Sequence, residues 1–557
     1  MQLISAQLTA ATTAIRSVLS MEYPADAVLR RFFRENPLLG ANDRTFVAET
    51  VFGVLRHKYY LECLMGLVTP RALLFAYLAK FQGMNLRELT PHVSESEVKW
   101  LTTIKSIAVD KQPLAVQAEF PVWLVEKLQV FMPDADILGL GRSLQQPASL
   151  DLRVNTIHTK RDNVLDTLKQ DGFEAEATPY SPVGIRITGK PAINRHSLFL
   201  SGHIEVQDEG SQILGYLLAP KRGDMVVDFC AGAGGKTLLL GALMNSKGRL
   251  YALDTSEKRL NNLKPRLKRS GLSNLHAQRI SNENDLKVKR LAGKIDRVLI
   301  DAPCSGLGTL RRNPDLKWRQ SLESIQELKQ KQAAILAASA NLLKPGGRLV
   351  YATCSFLPEE NQEIIEQFLV SHPKFSQLNC TEILAQQKIP LETGEFLQLF
   401  PKTHGTDGFF AAVLTIKKAE SVKEKPKPEP KEEPVKTEEK KPVKTKKKVL
   451  AKTATKKMAK VVEEEPVKTN IMKPAKAEVA ETETKSDSKP KKVVAKAKQS
   501  KSKEASDKTA KPKTKKALKV AKPKESSAKT EEQKSVKKKA TVAKKKTAKA
   551  EKKDGWR

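Results

Sequence analysis

The sequence predicts an α/β fold whose largest part is a doubly wound sheet with helices on both faces. The first observation is that residues 206–418 alternate short apolar runs with segments of helical periodicity. The second is that polar and glycine-rich turns follow the apolar runs, as expected where parallel strands end. The predicted strands are 225–229, 249–253, 297–300, 348–352 and 409–416. The predicted helices are 237–244, 257–270, 320–343 and 359–372.

Residues 1–140 are predicted to form a helical domain. The clearest helix spans 43–64, where Phe46, Val47, Val51, Val54, Leu55 and Leu61 recur at helical spacing, with Asn42 or Asp43 as its cap. A group of cations in the same region forms either a solvated face or an RNA-binding face. The group comprises Arg30, Arg31, Arg34, Arg44, Arg56 and Lys58.

Residues 145–205 are predicted to form a small α/β unit. Strand alternation is present at 150–155, a helix pattern follows at 161–169, and further strands are expected near Phe173 and at 184–187. Arg153 and Asn155 could touch nucleic acid, although a satisfied surface pair is the favoured interpretation of these two residues.

Residues 419–557 form a tail of different composition, in which Lys, Ala, Pro, Thr, Glu and Ser dominate and Trp556 is the only aromatic residue. The tail has 46 Lys and Arg against 21 Asp and Glu, a net charge of +25, while residues 1–418 have 52 against 42. Such a segment buries too little apolar surface to offset its chain entropy, so we expect disorder. It is either a non-specific nucleic-acid-binding tail or only a solubilising one.

Composition also excludes several classes of protein. The 557 residues include five cysteines without CxxC spacing, so neither a disulfide framework nor a structural zinc site is expected, and a reduced, cytoplasmic setting fits best. No secretory signal and no apolar run of about 18 residues is present, so no membrane association is expected. Cys63 and Cys380 are interpreted as small buried hydrophobic residues.

A glycine-rich turn follows the strand at 225–229 and predicts a ligand site. It consists of Cys230, Ala231, Gly232, Ala233, Gly234, Gly235 and Lys236. A triphosphate-binding loop would need glycine where Cys230 stands. Asp254 ends the next strand, about 20 residues on, where an acid suits ribose hydroxyls. The pattern favours a nucleoside-bearing cofactor, with a nicotinamide dehydrogenase as the competing interpretation.

Two thiols follow two other predicted strands. Cys304 lies in the turn Asp301–Ala–Pro–Cys–Ser–Gly after the run at 297–300, and Cys354 follows the run at 348–352. Because the ends of parallel strands meet at one edge of a sheet, we expect Cys304 and Cys354 to meet over one substrate. Nicotinamide chemistry does not require two such thiols.

These motifs strongly resemble those of the RNA cytosine-5 methyltransferases, in particular the bacterial ribosomal RNA branch of the Sun (Fmu, RsmB) type. The resemblance covers about residues 1–418 and implies a Rossmann-like methyltransferase sheet preceded by an all-α domain similar to NusB. The matching segments are DAPCSG at 301–306, RRNPDLKW at 311–318, YATCSFLPEEN at 351–361, VQDEGSQ at 206–212 and GTDGFF at 405–410.

The resemblance implies S-adenosylmethionine as methyl donor and assigns roles to residues. Cys354 would add to C6 of cytosine, Cys304 would assist product release, and Asp301 would contact both the base and the donor. The loop from Cys230 to Lys236 would wrap the donor, and Asp254 would hold its ribose. The family's acidic residue near the adenine is replaced by Asn282 here, with Asp285 as the alternative. Ala233 replaces a proline that many members carry.

Several interpretations stay open. Lys236 is either a ligand contact or a structural residue at the start of a helix. A basic strip around Trp318 either grips RNA phosphates or is a structural Trp with solvated charges; it contains Arg311, Arg312, Lys317 and Arg319. The predicted function is RNA cytosine-5 methylation, with small-subunit ribosomal RNA as the expected substrate, by a monomer. The alternatives are a nucleic-acid-binding protein with an inactive methylase scaffold and a DNA cytosine-5 methyltransferase.

Overall fold

The computed structural model describes residues 4–189 and 191–417, so the predicted disorder of residues 419–557 lies outside the described residues. The chain begins with a helical region from Ser5 to Gln145, as predicted. Its helices are α1 Ser5–Val18, α2 Ala25–Glu35, α3 Ala41–Arg56, α4 Lys58–Cys63, α5 Pro70–Lys80, α6 Leu86–Leu89, α7 Glu95–Ser106, α8 Leu114–Ala118, α9 Val122–Gln129 and α10 Asp134–Gln145.

The single helix predicted over 43–64 is wrong, because the structure divides it into α3 and α4 at His57. The backbone N–H of Tyr59 donates to Glu119 Oε2 at 3.0 Å, and a buried carboxylate thus takes a donor that a continuous helix would use. The predicted cap is also wrong. Gly40 is the N-cap, and Asp43 lies in the first turn, where its carboxylate accepts the Gly40 N–H at 3.0 Å.

A four-stranded antiparallel sheet follows the helical region, in the order β2-β3-β1-β4. The predicted strands near 150–155 and at 184–187 and the helix near 161–169 are present, the strand expected near Phe173 begins at Ala175, and β4 was missed. The strands are β1 Leu150–Val154, β2 Ala175–Ala177, β3 Gly184–Ile187 and β4 Ile204–Val206, and the helices are α11 Arg161–Gln170 and α12 Ser197–Leu200.

The main sheet has eight strands within the described residues, in the order β10-β12-β9-β8-β5-β6-β7, with β11 paired to β12. Strands β5 to β9 pair in parallel, and β12 runs antiparallel to β9. The strands are β5 Met225–Asp228, β6 Arg249–Asp254, β7 Leu275–Arg279, β8 Ile295–Asp301, β9 Leu343–Thr353, β10 Phe375–Leu378, β11 Leu397–Leu399 and β12 Phe409–Ile416.

Helices cover both faces of this sheet, which confirms the predicted doubly wound architecture. Ile213 and Leu217 of the helix Glu209–Leu218 pack with Val226 on one face, and Leu336 of the helix Leu322–Ala340 packs with Val227 on the other. Neighbouring residues of a strand point to opposite faces, which explains the uninterrupted apolar runs. The remaining helices are α13 Glu209–Leu218, α14 Gly235–Leu243, α15 Glu257–Ser270, α16 Leu286–Lys289, α17 Leu316–Arg319, α18 Leu322–Ala340, α19 Gln362–Ser371, α20 Cys380–Gln386 and α21 Pro401–His404.

Two further features of the described residues bear on the site. Side chains of the helical region and of the segment after β8 share one apolar cluster, in which Phe120 and Leu124 join Leu307, Leu310 and Phe356. The segment that follows β8 at the carboxyl edge of the sheet is therefore packed against the N-terminal helices. Among the residues that the structure describes, no helix is both long and apolar enough to cross a membrane.

Candidate active site

The two predicted thiols meet at the carboxyl edge of the sheet. Asp301 at the end of β8 is in register with Ala352 of β9, and the Ala302 N–H donates to the Ala352 carbonyl at 2.8 Å. The segments that follow β8 and β9 therefore leave the sheet side by side. The sulfur atoms of Cys304 and Cys354 lie 3.4 Å apart, and the Cys354 N–H points at Cys304 Sγ at 3.3 Å.

The glycine-rich turn lies at the end of the adjacent strand β5. Gly232 and Gly234 have positive φ angles of 57° and 81°, and a Cβ on Gly234 would lie 2.2 Å from Leu263 Cδ1. The turn is also held from outside. Arg266 Nη1 donates to the Ala233 carbonyl at 2.7 Å, and Arg153 Nη1 donates to the Gly235 carbonyl at 2.6 Å. The turn is therefore held by hydrogen bonds on both sides of Gly234, with alanine at position 233.

Asp254 fastens the same turn from strand β6. Its Oδ2 accepts the Gly232 N–H at 2.8 Å, and its Oδ1 accepts the Ser256 N–H at 2.7 Å. Each carboxylate oxygen retains a lone pair for a ligand hydroxyl. The turn, Asp254 and both thiols border one cavity of about 880 Å³. Its lining also includes Gln207, Asp228, Asn282, Asp301, Pro303 and Lys331.

The structure separates the two residues considered for the adenine end. Asn282 lines the cavity. Asp285 instead caps the short helix α16, where its carboxylate accepts the N–H groups of Lys287 and Ser281. These hydrogen bonds, that from Lys287 first, lower the pKa of Asp285 to about 2. Asp285 therefore serves a local structural role, and Asn282 is the one of the two that borders the cavity.

Lys236 joins the two sides of the cavity. It lies in the first turn of α14, and its ammonium is 2.7 Å from Asp301 Oδ2. Burial alone would lower the pKa of Lys236, but the Asp301 carboxylate outweighs it and the net shift is upward. Lys236 thus starts a helix, as one interpretation predicted, and it also lines the cavity, while its contact with a ligand stays a prediction.

The five cysteines occupy different environments, and none is in a disulfide. The hydrogen bond with Cys354, followed by burial, raises the pKa of Cys304 well above the ordinary thiol value. Burial raises the pKa of Cys230 as well. Cys380 is fully buried, as predicted, but the prediction of a buried Cys63 is wrong because that residue is exposed.

Trp318 is structural, as one of the two interpretations predicted, but the cations around it are not solvated because their side chains are engaged within the protein. Arg311 and Arg312 both pair with Asp407, and Arg312 also pairs with Asp208 at 2.9 Å. Lys317 is buried and donates to the Arg56 carbonyl at 2.9 Å, and Trp318 Nε1 donates to the Leu55 carbonyl at 3.3 Å. Arg319 lies 3.4 Å from Asp315.

Other predicted RNA contacts have structural partners too. Arg153 and Asn155 are buried, so they form neither a surface pair nor an RNA-binding surface. Asn155 Nδ2 donates to the carbonyls of Gly202 and Ser270. In the N-terminal group of cations, Arg30 pairs with Asp26 on an exposed face, whereas Arg56 Nη2 donates to the Arg311 carbonyl at 3.0 Å. That group therefore does not form one surface.

Sequence reasoning missed residues that hold the site from behind. Asp228, at the end of β5, accepts the Thr237 hydroxyl at 2.6 Å, and burial raises its pKa to about 7. Glu360 accepts the N–H and hydroxyl of Ser305, the residue after Cys304. Asp228 could have been found from the sequence, because it is a carboxylate at the end of a predicted strand. Glu360 could not, because its hydrogen-bond partners are distant along the chain.

Comparison with known proteins identifies similar chains. The family described as 16S rRNA methyltransferase RsmB/F matches residues 215–415, and the family described as a Methyltr_RsmF/B-like ferredoxin-like domain matches residues 120–194. The chain is 32% identical to a probable ribosomal RNA small subunit methyltransferase B from Synechocystis over 442 residues, covering 73% of this chain and 98% of that protein.

Two further similarities point the same way. The ribosomal RNA small subunit methyltransferase B of Klebsiella pneumoniae strain 342 is 32% identical, with 67% of this chain and 90% of that protein covered. The crystal structure of PH0851 superposes with a TM-score of 0.62 at 27% identity and covers 74% of this chain and 99% of that one.

Proposed function

This chain belongs to the RsmB/F family of 16S rRNA methyltransferases, and from that premise we propose that it methylates C5 of a cytosine in small-subunit ribosomal RNA. One observation carries the proposal for C5. Cys304 and Cys354, from two separate loops, lie 3.4 Å apart beside Asp301 in one cavity. Methylation of an exocyclic nitrogen or of a ribose hydroxyl has no use for such a pair.

The chemistry of the cytosine ring explains the need for two thiols. C5 of cytosine is a weak nucleophile, but addition of a thiolate to C6 makes C5 enamine-like and able to accept a methyl group. We assign this addition to Cys354. The C5 proton must then leave, and the bond between sulfur and C6 must break. Cys304, whose raised pKa keeps it protonated, gives its proton to the Cys354 sulfur as that bond breaks, and the Cys304 thiolate so formed takes the C5 proton.

Asp301 and Lys236 supply the polar contacts that the reacting base requires. We propose that Asp301 accepts from the exocyclic amine of the base and from N3 once that nitrogen is protonated. This contact stabilises the charge that the ring gains when the thiolate adds. The Lys236 ammonium, 2.7 Å from Asp301, holds that carboxylate in place. The target base must be unpaired or flipped out of a helix to reach the cavity.

The methyl donor is S-adenosylmethionine, which supplies the methyl group when bound. The residues of the cavity fit such a molecule. Gly232 has open space where a side chain would point, so the backbone can approach the ligand, and Asp254 has lone pairs for ribose hydroxyls. We propose that Cys230 to Lys236 wrap the donor, that Asp254 holds its ribose, and that Asn282 contacts its adenine.

Bisulfite sequencing of small-subunit ribosomal RNA, with and without the protein, tests the reaction directly. A cytosine that resists bisulfite conversion should be found only in the presence of the protein, and it should be lost when Cys354 is replaced by alanine. In denaturing gels, Cys304→Ala should accumulate a covalent complex with RNA, whereas Cys354→Ala should form none. The matched control is Cys63→Ala, which removes an exposed thiol away from the cavity.

The same variants separate the alternatives. If Cys304→Ala abolished the covalent complex and Cys354→Ala did not, the nucleophile would be the Pro-Cys thiol, as in DNA cytosine methylation. If the protein did not bind S-adenosylmethionine, the chain would be a nucleic-acid-binding scaffold without activity. Either result would overturn the proposal.

A further inference from the structure

A buried carboxylate lies directly behind the Cys304 loop. Glu360 ends the turn Pro358–Glu360 and has no exposed surface. Its Oε1 accepts the Ser305 N–H at 2.8 Å and Gln332 Nε2 at 3.0 Å, and its Oε2 accepts the Ser305 hydroxyl at 2.6 Å. All three partners donate, which is the arrangement that an ionised carboxylate accepts. Gln332 Nε2 also reaches the Pro303 carbonyl at 3.0 Å, so both sides of Cys304 are fixed.

The next residue fixes the other cysteine loop. Asn361 Oδ1 accepts the Thr353 hydroxyl at 2.6 Å, and Asn361 Nδ2 donates to the Ser355 carbonyl at 3.0 Å. The residues on each side of Cys354 are therefore tied to one amide. Glu360 and Asn361 are consecutive, so a single turn sets the separation of the two thiols.

The charge of Glu360 has no cationic partner among the residues that the structure describes. By contrast, Glu359 lies 2.6 Å from Lys127, and Glu363 lies 2.7 Å from Lys329. A buried unpaired carboxylate is costly, and a neutral glutamine could fill the same space and make most of the same hydrogen bonds. Positioning alone does not account for a negative charge at this place.

We propose that Glu360 is a positioning residue with an electrostatic role: it fixes the Cys304 loop, and its unpaired negative charge adds to the effects of burial and of the Cys354 thiol that keep the Cys304 sulfur protonated, which leaves Cys354 as the nucleophile. The division of labour between the thiols rests on the proposed function. The protonation of Cys304 does not, and it can be measured without RNA or donor.

Of the other charged or titratable groups around Cys304, Lys331 of α18 lines the same cavity and its positive charge would act against this role, whereas the groups described next do not oppose it. The Cys354 thiol is 3.4 Å away and its hydrogen bond is the largest cause of the raised pKa of Cys304, followed by burial and the charge on Cys354, with Glu360 adding to them. Asp301 is neutralised by Lys236 at 2.7 Å. The Tyr351 phenol is buried with its pKa raised, and its hydroxyl donates to the Glu360 carbonyl at 2.7 Å. Removal of the Glu360 charge should therefore lower the pKa of Cys304 in part.

The test is alkylation of individual cysteines in the full-length protein, without RNA or donor. Isotope-coded iodoacetamide is added to low extent across a range of pH, and each cysteine peptide is quantified by mass spectrometry. In Glu360→Gln the Cys304 profile should move down by about one pH unit, which corresponds to roughly tenfold faster alkylation below the midpoint. The Cys354 profile should move less.

Two controls separate charge from packing. Glu359→Gln removes the adjacent charge, which Lys127 already neutralises, and should leave the Cys304 profile unchanged. Glu360→Asp keeps the charge on a shorter side chain and should retain slow alkylation of Cys304. Equal profiles for Glu360→Gln and the wild type would overturn the proposal, as would equal profiles for the Gln and Asp variants.

The wild-type protein provides a test that needs no variant to fold. The proposal requires the alkylation midpoint of Cys304 to lie above that of Cys354. A Cys304 midpoint at or below that of Cys354 would overturn it, even if methylation of cytosine were established. Conversely, a failure to methylate RNA would leave this measurement unaffected, so the two proposals fail separately.

Discussion

At the scale of single residues, the buried carboxyl group of Asp228 should make the stability of the folded protein depend on pH. It is buried, it accepts the Thr237 hydroxyl, and burial raises its pKa to about 7, from an ordinary value near 4. Between these values the folded chain holds a proton that the unfolded chain has lost. The contribution of Asp228 to stability is therefore full below about pH 4 and is lost as the pH rises towards 7.

Asp228→Asn should remove that loss. We expect the variant to match the wild type near pH 4 and to exceed its stability near pH 8 by on the order of 2–4 kcal/mol. Thermal or chemical unfolding at several pH values measures the difference, with Asp166→Asn on the exposed side of α11 as the control. A difference that stayed constant from pH 4 to 8 would contradict the assignment.

The sequence predicts the position of a residue when the neighbouring residues along the chain determine that position. A thiol in a turn after an apolar run, as at Cys304 and Cys354, predicts its own position at the edge of a parallel sheet. Burial of a charged residue cannot be predicted in this way. Arg153 and Lys317 look like surface cations along the chain, and only their partners, Gly235 and Arg56, make them buried structural groups.

At the scale of elements, Arg153 connects the small antiparallel sheet with the cofactor turn. It is buried on β1, and its Nη1 donates to the Gly235 carbonyl at 2.6 Å and to Gln207 Oε1 at 2.5 Å. Burial lowers its pKa to about 10, so it stays charged at neutral pH. This side chain therefore ties the small sheet to the start of α14.

Arg153→Met keeps much of the apolar stem and removes the donors. Two buried acceptors then lose a partner, which should cost about 1–3 kcal/mol in the free energy of unfolding. Affinity for S-adenosylmethionine, measured by calorimetry, should fall at the same time because the turn at Gly235 is less fixed. Arg195→Met, at an exposed position, is the control. Unchanged stability and unchanged donor affinity would both contradict this role.

Elements with a strong periodic pattern were predictable, and those set by distant contacts were not. Strand β7 was missed because Leu275–Arg279 is a mostly exposed edge strand without an apolar run. The break between α3 and α4 depends on Glu119, 60 residues away from the Tyr59 amide it accepts. A helical pattern that continues through His57 gives no warning of that contact.

At the scale of the whole molecule, the helical region is built into the active edge of the sheet. Ala25 N–H donates to Asp315 at 3.2 Å, and Trp318 Nε1 donates to the Leu55 carbonyl at 3.3 Å. Residues 315–318, in the segment after Cys304, are thus hydrogen-bonded to α2 and α3. Arg56 and Lys317, two of the cations that the sequence suggested for RNA binding, are used for this docking instead.

The tail at 419–557 is the largest source of positive charge in the chain, since it carries +25 of the net charge of +35. Each phosphate that Lys neutralises releases a counterion, so affinity for single-stranded RNA falls with salt at a slope of about −0.7 per contact. Removal of residues 419–557 should therefore weaken RNA binding at low salt and flatten the plot of log Kd against log salt. Affinity for S-adenosylmethionine should stay unchanged, because the cavity is lined by residues between 207 and 354. Fluorescence anisotropy measures the slope, and a chain in which tail lysines are replaced by glutamine is the control for length. An unchanged slope in the truncated protein would mean that the tail has no part in RNA binding.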